Sequence, residues 1–166
     1  MTAGTGTGME ICRAGYGSAD LDVLIAEIQQ EYVRRYGGID ESPLEPDEFE
    51  PPDGIFLVGY SEGRPVAMGG WRRHDPAKAG AVPGSNPGEI RRMYVTPDAR
   101  GRGYARRILL GLEESARAAG VDWLVLETGS VQPEAVSLYR ACGYTDIPAF
   151  GYYRHSPQSI HLGKAL

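Results

Sequence analysis

The residues Arg100-Gly101-Arg102-Gly103-Tyr104-Ala105 form the stretch of this sequence best suited to holding a ligand. They lie between an apolar-rich segment typical of a strand, 89–95, and a segment with helical periodicity, 103–119. The first N–H groups of a helix have no partner within the helix, and two glycines let other atoms approach the backbone closely. Because the positive end of the helix dipole and the charges of Arg100 and Arg102 coincide there, we predict that this turn binds a pyrophosphate.

The composition of the chain limits the partners that this turn can serve. The 166 residues carry a net charge of −5, which argues against nucleic-acid binding as the main task. Two cysteines, Cys12 and Cys142, lack the spacing of a disulfide framework or zinc site, and the three histidines lack metal-ligand spacing. No apolar run approaches the length of about 18 residues that suggests a membrane span. We therefore expect a cytoplasmic protein without a metal and without a membrane partner.

The elements that position the turn can be read from the spacing of apolar residues. We expect residues 1–8 to form a disordered tail and residues 9–166 to form one domain. Periodicity predicts helices at 19–36, at 103–119 and from Pro133 to a stop at Gly143. The predicted strands are 9–14, 55–60, 65–72, 89–95, 122–127 and 159–162. Helices thus alternate with strands in the middle of the chain, and hairpins occupy the flanks.

Two long loops separate the early elements, at 39–53 and 75–88. The first contains four prolines and seven acidic residues, so at most one helical turn fits within it. It can be a solvated loop, or it can form a rim whose negative field attracts a cationic substrate. The sequence leaves both interpretations open.

The turn and its surroundings resemble the GNAT superfamily of acyl-CoA N-acyltransferases. The signature of that family is Gln or Arg, two residues, Gly, one residue, and then Gly or Ala, between a strand and a helix; Arg100, Gly103 and Ala105 fill it. The resemblance runs from about residue 9 to the C-terminus and is strongest over 89–144. It implies an α+β fold of three layers (α/β/α). In that fold flanking helices cover a mixed central sheet of about six to seven strands, and a central parallel strand pair splays around the CoA site.

The resemblance also implies acetyl-CoA as co-substrate and a set of residues that bind it. Backbone N–H groups of the turn would hold the pyrophosphate, and the backbone at the end of strand 89–95 would pair with the peptide-like pantetheine arm. Gln132 stands at a corner between strand and helix where many members have Asn, so its contact is the least secure. The implied cofactor-binding residues are Met93, Tyr94, Val95, Arg100, Gly101, Arg102, Gly103, Tyr104, Ala105 and Gln132.

Two catalytic roles follow from the same resemblance. Glu89 begins the central strand where several members keep a glutamate base, and an attacking amine must lose a proton. The alternatives are an ordinary charge at the start of a strand, or a water chain ending on another carboxylate. Tyr139 stands seven positions after Gln132, where the family has a tyrosine acid that can protonate the leaving thiolate. The alternative for Tyr139 is a core tyrosine on an apolar helix face.

Three functions compete on these observations. The first is an N-acetyltransferase that moves an acetyl group from acetyl-CoA to a primary amine by direct attack in a ternary complex. Its acceptor would be a small cationic amine or an amino-acid or peptide amine. The second is a non-catalytic acyl-CoA sensor or partner-protein module, which would need neither Glu89 nor Tyr139. The third is a phosphate binder of another fold, although the turn lacks the Gly-Lys-Ser/Thr ending of a P-loop. Dimers are common in the GNAT superfamily, so the resemblance allows a homodimer.

Overall fold

A computed structural model describes residues 8–166, which fold around a seven-stranded sheet. The predicted tail, 1–8, lies outside the described residues apart from Gly8. The strands are β1 (Glu10–Arg13), β2 (Gly54–Ser61), β3 (Arg64–Arg73), β4 (Pro87–Val95), β5 (Trp123–Gly129), β6 (Thr145–Asp146) and β7 (Ser159–Ala165). The helices are α1 (Ala19–Tyr36), α2 (Pro76–Ala79), α3 (Tyr104–Ala118) and α4 (Pro133–Ala141), with short 3-10 turns at Pro46–Phe49 and Pro97–Ala99.

The sheet has the order β1-β2-β3-β4-β5-β7-β6 and mixes antiparallel pairs with one parallel pair, β4 with β5. The parallel pairing is short: it begins at Pro87 opposite Trp123 and ends at Glu89 opposite Val125. Beyond that point the two strands separate toward their carboxyl ends. The predicted splayed parallel pair is therefore confirmed.

Helices cover both faces of the sheet because successive strand residues point to opposite sides. Phe56 of β2 packs in one core with α1, and the next residue, Leu57, packs in the other core with α3. The α1 core is centred on Leu21, Leu24 and Ile28, and the α3 core on Ile108, Leu109, Leu112 and Ala116. The predicted α+β fold with three layers and a mixed sheet of six to seven strands is confirmed.

Helix ends follow local chemistry. Helix α1 has the predicted bounds and ends at Gly37, whose φ of 81° suits a residue without a Cβ. Ser18 occupies the N-cap, but its side chain makes no capping hydrogen bond. Helix α2 lies in the segment predicted to be a loop. It forms because Pro76 opens it and the Asp75 side chain accepts a hydrogen bond from the N–H of Ala77. Among the described residues, no helix has the length and apolar character needed to cross a bilayer.

Candidate active site

A cleft of about 470 Å³ opens where β4 and β5 separate. One wall is the second half of β4, residues 90–93, and the other is the second half of β5, residues 126–129. Tyr32 and Tyr36 of α1 and Tyr139 of α4 line the same space. A neighbouring cavity of about 300 Å³ shares Arg91, Glu127 and Tyr153 with it. Because the parallel pair diverges, a space opens within the sheet between β4 and β5.

A β-bulge in β4 determines which side chains face this cleft. The pairing register between β3 and β4 shifts at Gly70, and Arg92 adopts a φ of 59°, a left-handed conformation that non-glycine residues seldom take. Simple alternation along a strand would place Arg91 and Arg92 on opposite faces. Instead both guanidinium groups contact the same carboxylate, that of Asp40. The bulge therefore brings two adjacent arginines to one side of the sheet.

Arg92 is buried with part of its hydrogen-bonding capacity unused. The residue is 7% exposed, and among the described residues its Nε and Nη1 atoms have no hydrogen-bond partner. Nη1 lies 3.1 Å from Asp40 Oδ2, an ion-pair contact. An unpartnered buried donor costs about 1–3 kcal/mol. Buried donors without partners are often found at functional sites, where a ligand can accept their hydrogen bonds.

The turn at 100–105 has the geometry of an anion site. Gly101 and Gly103 have φ values of 78° and 77°, and a Cβ added at either would meet no atom within 4 Å. Gly103 is the N-cap of α3, and no described side chain caps the helix. The first N–H groups of α3 therefore face open space, as a bound pyrophosphate requires. The residues present fit the diphosphate of CoA.

The Arg100 side chain stabilises this turn through contacts with β4 and α1. Its Nη2 atom donates to both carboxylate oxygens of Glu31, at 3.1 and 3.2 Å, and its Nε donates to the carbonyl oxygen of Val95 at 3.0 Å. The guanidinium also lies over the ring of Tyr94, 5.7 Å from its centroid. These contacts join the end of β4 to α1. Arg102, by contrast, is exposed beside the uncapped helix end.

The end of β4 offers its backbone to the cleft. Tyr94 pairs with Met68 and Val95 pairs with Ala67, both in β3, so one edge of β4 is used. Within residues 8–166, no strand pairs with the other edge after Glu89, because β5 diverges from it. Free N–H and C=O groups on a strand edge can pair with an extended, amide-containing ligand. Met93 lines the cleft at this edge.

Gln132 lies at the opposite side of the cleft, at the N-cap of α4. Its Nε2 donates to the hydroxyl of Tyr36 over 2.7 Å. That hydroxyl lies directly above Gly129, where a Cβ would be 1.7 Å from it. Gly129 is therefore required for the close approach of α1 to β5, and Gln132 is held by α1 in this structure.

Tyr139 is a core residue that also reaches the cleft. Its side chain is buried in the α3 core, with its ring 5.8 Å from that of Tyr144, and it lines the cleft. Burial raises the pKa of Tyr139 well above its ordinary value. The phenol is therefore protonated at every physiological pH, which a proton donor requires.

Glu89 lies at the point where β4 and β5 part, and its carboxylate is held by basic groups. Its Oε1 atom accepts from Arg72 Nη2 and from Arg91 Nη1, each at 3.2 Å. Oε2 lies 4.0 Å from His74 Nδ1, while His74 Nε2 is 2.6 Å from the carbonyl oxygen of Gly80. Because a carbonyl oxygen only accepts, Nε2 carries a hydrogen, and Nδ1 is the atom that faces Glu89.

Glu127 is a candidate functional residue that the sequence reasoning missed. It lines both cavities, and its Oε1 accepts a hydrogen bond from Ser159 Oγ at 3.0 Å. The residue is exposed to the open cleft, and partial desolvation by the cleft walls raises its pKa to about 7. The hydrogen bond from Ser159 acts in the opposite direction, and the charge of Asp40 adds to the rise. One signal was present: a single charged residue ends the apolar run 123–127.

The acidic loop is neutralised by arginines of the sheet. Asp40 pairs with Arg91 and Arg92, and further ion pairs join Glu48 to Arg72 and Asp53 to Arg73. The pKa of Asp40 is lowered: burial would raise it, but Arg92, Ser42 and Arg91 together outweigh that effect. The loop therefore brings several of its carboxylates to arginines of the sheet, while Glu41 lines the cleft. Among the described residues, no group of three or more His, Cys, Asp or Glu is arranged to hold a metal.

Comparison with known proteins identifies this architecture. The model of the Acetyltransferase (GNAT) family matches residues 25–144. The chain belongs to this family. It is 36% identical over 143 residues to an IAA acetyltransferase of Azospirillum brasilense, which covers 86% of this chain and 88% of that protein.

Solved structures of GNAT proteins have the same fold. A protein of Klebsiella pneumoniae subsp. pneumoniae, provisionally named an acyl-CoA N-acyltransferase, superposes with a TM-score of 0.74 and 29% identity, over 96% of this chain and 99% of that one. The ribosomal-protein-alanine N-acetyltransferase of Brucella melitensis superposes with a TM-score of 0.70 and 20% identity, over 95% and 99% of the two chains. The chain is thus an acyltransferase enzyme, as the sequence predicted.

In this GNAT enzyme the predicted site residues fall into three groups. Met93, Gln132 and Tyr139 line the cleft itself. The 100–105 turn follows β4 beyond the cleft wall, and Glu89 lines the neighbouring cavity. Arg92 and Glu127 are two charged cleft residues that were absent from the predicted site set.

Proposed function

We propose that the enzyme transfers an acetyl group from acetyl-CoA to a primary amine by direct attack in a ternary complex. The observation that carries the proposal is the cleft between β4 and β5. Its walls combine a free strand edge, a protonated phenol on Tyr139 and a carboxylate with a pKa of about 7 on Glu127. No step requires a group from outside the chain and its two substrates, and a cytoplasmic location suits both of them.

The chain offers acetyl-CoA a continuous set of polar backbone groups. Acetyl-CoA supplies an acetyl thioester, whose carbonyl carbon accepts the nucleophile. The N–H groups of residues 102–105 would hold the diphosphate, with Arg102 adding charge and Arg100 fixing the turn. The backbone of residues 93–95 would pair with the pantetheine amides. Gln132 would contact the cofactor only after releasing Tyr36.

A carboxylate of the cleft takes the amine proton. Glu127 suits this role because its carboxylate is open to the cleft and its pKa of about 7 matches neutral conditions. Glu89, the base expected from the sequence, has one carboxylate oxygen engaged by Arg72 and Arg91. We therefore assign the base to Glu127 and keep Glu89 as the competing candidate.

Tyr139 supplies the proton that the leaving thiolate takes up. The amine nitrogen forms a bond to the carbonyl carbon, and the C–S bond breaks with its electron pair on sulfur. The buried phenol of Tyr139 donates its proton to that thiolate, so CoA leaves as a thiol. The products are an N-acetylated amine and CoA; the carboxylate releases the amine proton to solvent, and the Tyr139 phenolate takes up a proton from solvent, which restores both groups.

Calorimetric titration of acetyl-CoA, followed by a thiol-release screen against a panel of amines, tests the proposal. We expect binding and turnover on at least one small amine or peptide amine. Binding without turnover on any amine would instead support a cofactor sensor, and no binding would contradict the assignment of the 100–105 turn to the diphosphate.

A further inference from the structure

The Arg92 guanidinium is a cation built into the cleft with donors to spare. It is more than nine-tenths buried, it lines the cleft, and its Nε and Nη1 atoms lack hydrogen-bond partners among the described residues. The β4 bulge turns this side chain to the same face as Arg91. An arginine whose planar donors are unused is suited to a planar anion such as a carboxylate.

Asp40, which forms an ion pair with Arg92, also accepts hydrogen bonds from other groups. Oδ1 of Asp40 accepts from Ser42 N at 2.9 Å, from Ser42 Oγ at 2.6 Å and from the Tyr153 hydroxyl at 3.0 Å. Oδ2 accepts from Arg91 Nη2 at 3.2 Å. Four hydrogen bonds therefore satisfy this carboxylate without Arg92. Arg92 Nη1 keeps its ion-pair contact with Asp40, and the buried Nε atom is the donor that lacks any acceptor among the described residues.

The rest of the cleft restricts what that ligand can be. Asp40, Glu41 and Glu127 also line it, and these carboxylates disfavour a doubly charged anion such as a phosphate monoester. A singly charged carboxylate beside a cationic amine matches the mixed charges better. Arg92 lies on the β4 wall and Glu127 on the β5 wall, so the two ends of such a molecule would each face an opposite charge.

We propose that the acceptor is a free amino acid, whose carboxylate binds Arg92 and whose amino group faces Glu127. This inference rests on the proposed function and narrows its acceptor class. It is preferred over the small cationic amine that the acidic loop suggested, because Asp40, Glu48 and Asp53 of that loop are paired with arginines.

The test compares acceptors that differ only at the carboxylate. The twenty standard amino acids are screened by thiol release, and the best one is compared with its carboxamide and with its decarboxylated amine. We expect kcat/KM to be at least tenfold higher for the amino acid than for either analogue. Equal or better turnover of the two analogues, or turnover of amines but of no amino acid, would overturn the inference while leaving the acetyltransferase proposal intact.

Variants assign the preference to Arg92. Arg92→Gln should remove the preference for the amino acid at an unchanged Kd for acetyl-CoA, and Arg92→Lys should retain part of it. Arg117→Gln makes the same change at an exposed position of α3 and should leave the preference intact. A preference that survives in Arg92→Gln would contradict the assignment.

A binding measurement makes the test independent of turnover. The N-acetylated amino acid and its N-acetylated carboxamide are each titrated into the wild-type protein and into Arg92→Lys. We expect the acid to bind at least tenfold more tightly than the amide to the wild type, and the difference to shrink in the variant. Equal Kd values for acid and amide in the wild type would overturn the inference even if Arg92→Gln fails to fold.

Discussion

Two glutamates on adjacent strands are suited to different tasks because their neighbours differ. Glu89 is buried, and Arg72 and Arg91 donate to one of its oxygens. Glu127 is open to the cleft and accepts one hydrogen bond, from Ser159. A carboxylate held by two guanidinium groups orients them, whereas one in a partly desolvated cleft can exchange a proton with a ligand. The chemistry of the site thus depends on which glutamate meets the amine.

Isosteric variants distinguish the two glutamates. Glu127→Gln removes the proposed base without changing its size, so we expect kcat/KM to fall on the order of 10²–10⁴-fold with the Kd for acetyl-CoA unchanged. Glu89→Gln serves as the matched comparison, and we expect a smaller loss through disturbed arginines. If Glu89→Gln abolishes turnover while Glu127→Gln retains it, Glu89 is the base and the assignment to Glu127 is wrong.

The pH dependence of the rate should report the same group. Because the pKa of Glu127 is raised to about 7, the carboxylate is protonated below that value and cannot accept a proton. We expect kcat/KM to rise through pH 7 in the wild type. Ser159, Asp40, Arg91 and Glu89 are the groups whose hydrogen bonds and charges adjust this pKa beyond the effect of burial.

Glu127→Gln is the control for the pH profile. Titration of the acceptor amine itself persists in this variant, so only the inflection near pH 7 should disappear. An inflection of the same position and size in Glu127→Gln would assign it to another group.

Tyr139 and Tyr144 form a natural pair for testing the acid. Tyr139→Phe removes the proposed donor to the thiolate, and we expect kcat to fall by about 10–100-fold with acetyl-CoA binding unchanged. Tyr144 is the packing control, since it is 1% exposed and its buried hydroxyl has no hydrogen-bond partner in the described part of the chain. Tyr144→Phe should therefore retain activity and stability. Full activity in Tyr139→Phe would leave Tyr139 as a core residue only.

At the scale of elements, the strand-turn-helix unit β4–α3 is expected to position the cofactor. Gly103→Val places a side chain in the open space before the first N–H groups of α3 and should weaken acetyl-CoA binding at least tenfold. Gly63→Val is the matched control because Gly63 has nearly the same φ, 75° against 77°, and equally open surroundings in the β2–β3 turn. Both variants bear a similar backbone strain of about 1–3 kcal/mol. Equal Kd values for acetyl-CoA in the two variants would place the diphosphate elsewhere.

Elements that depend mainly on local sequence signals, such as apolar spacing and glycine placement, could be predicted from the sequence. The apolar spacing of α1 and the glycine after it define its bounds at both ends. The Pro87–Val95 strand, the 100–105 turn and α3 likewise follow from composition and glycine placement. Helix α2 was missed because a single turn of four residues has no periodicity to detect.

The interior of the site could not be predicted in the same way, because non-local contacts build it. The bulge at Arg92 depends on pairing with β3, and without it Arg91 and Arg92 would alternate. Tyr153 accepts from the N–H of Glu41 and donates to Asp40, residues more than one hundred positions away. The pKa of Glu127 depends on the walls around it and has no counterpart in the sequence.

At the scale of the whole molecule, a buried ion pair links helix α3 to β7, in the half of the sheet beyond β5. Both carboxylate oxygens of Glu113 accept from Lys164 Nζ of β7, at 2.7 and 3.0 Å, and the Glu113 side chain is 1% exposed. The ammonium group also lies over the ring of Tyr144, 5.7 Å from its centroid. Glu113 therefore ties the second half of α3 to β7, while Arg100 fixes the turn that precedes α3 to β4 and α1.

Lys164→Met should destabilise the protein far more than the loss of a surface ion pair. The variant leaves the Glu113 carboxylate buried without a cation, which costs about 3–5 kcal/mol of unfolding free energy. Denaturant unfolding measures this loss, and Arg13→Met, which breaks the exposed pair with Glu50, should lose less than about 1 kcal/mol. The double variant Glu113→Leu/Lys164→Met should recover most of the stability because neither charge remains buried. If the double variant is as unstable as Lys164→Met, packing of the lysine stem, and not the isolated charge, stabilises the contact between α3 and the sheet.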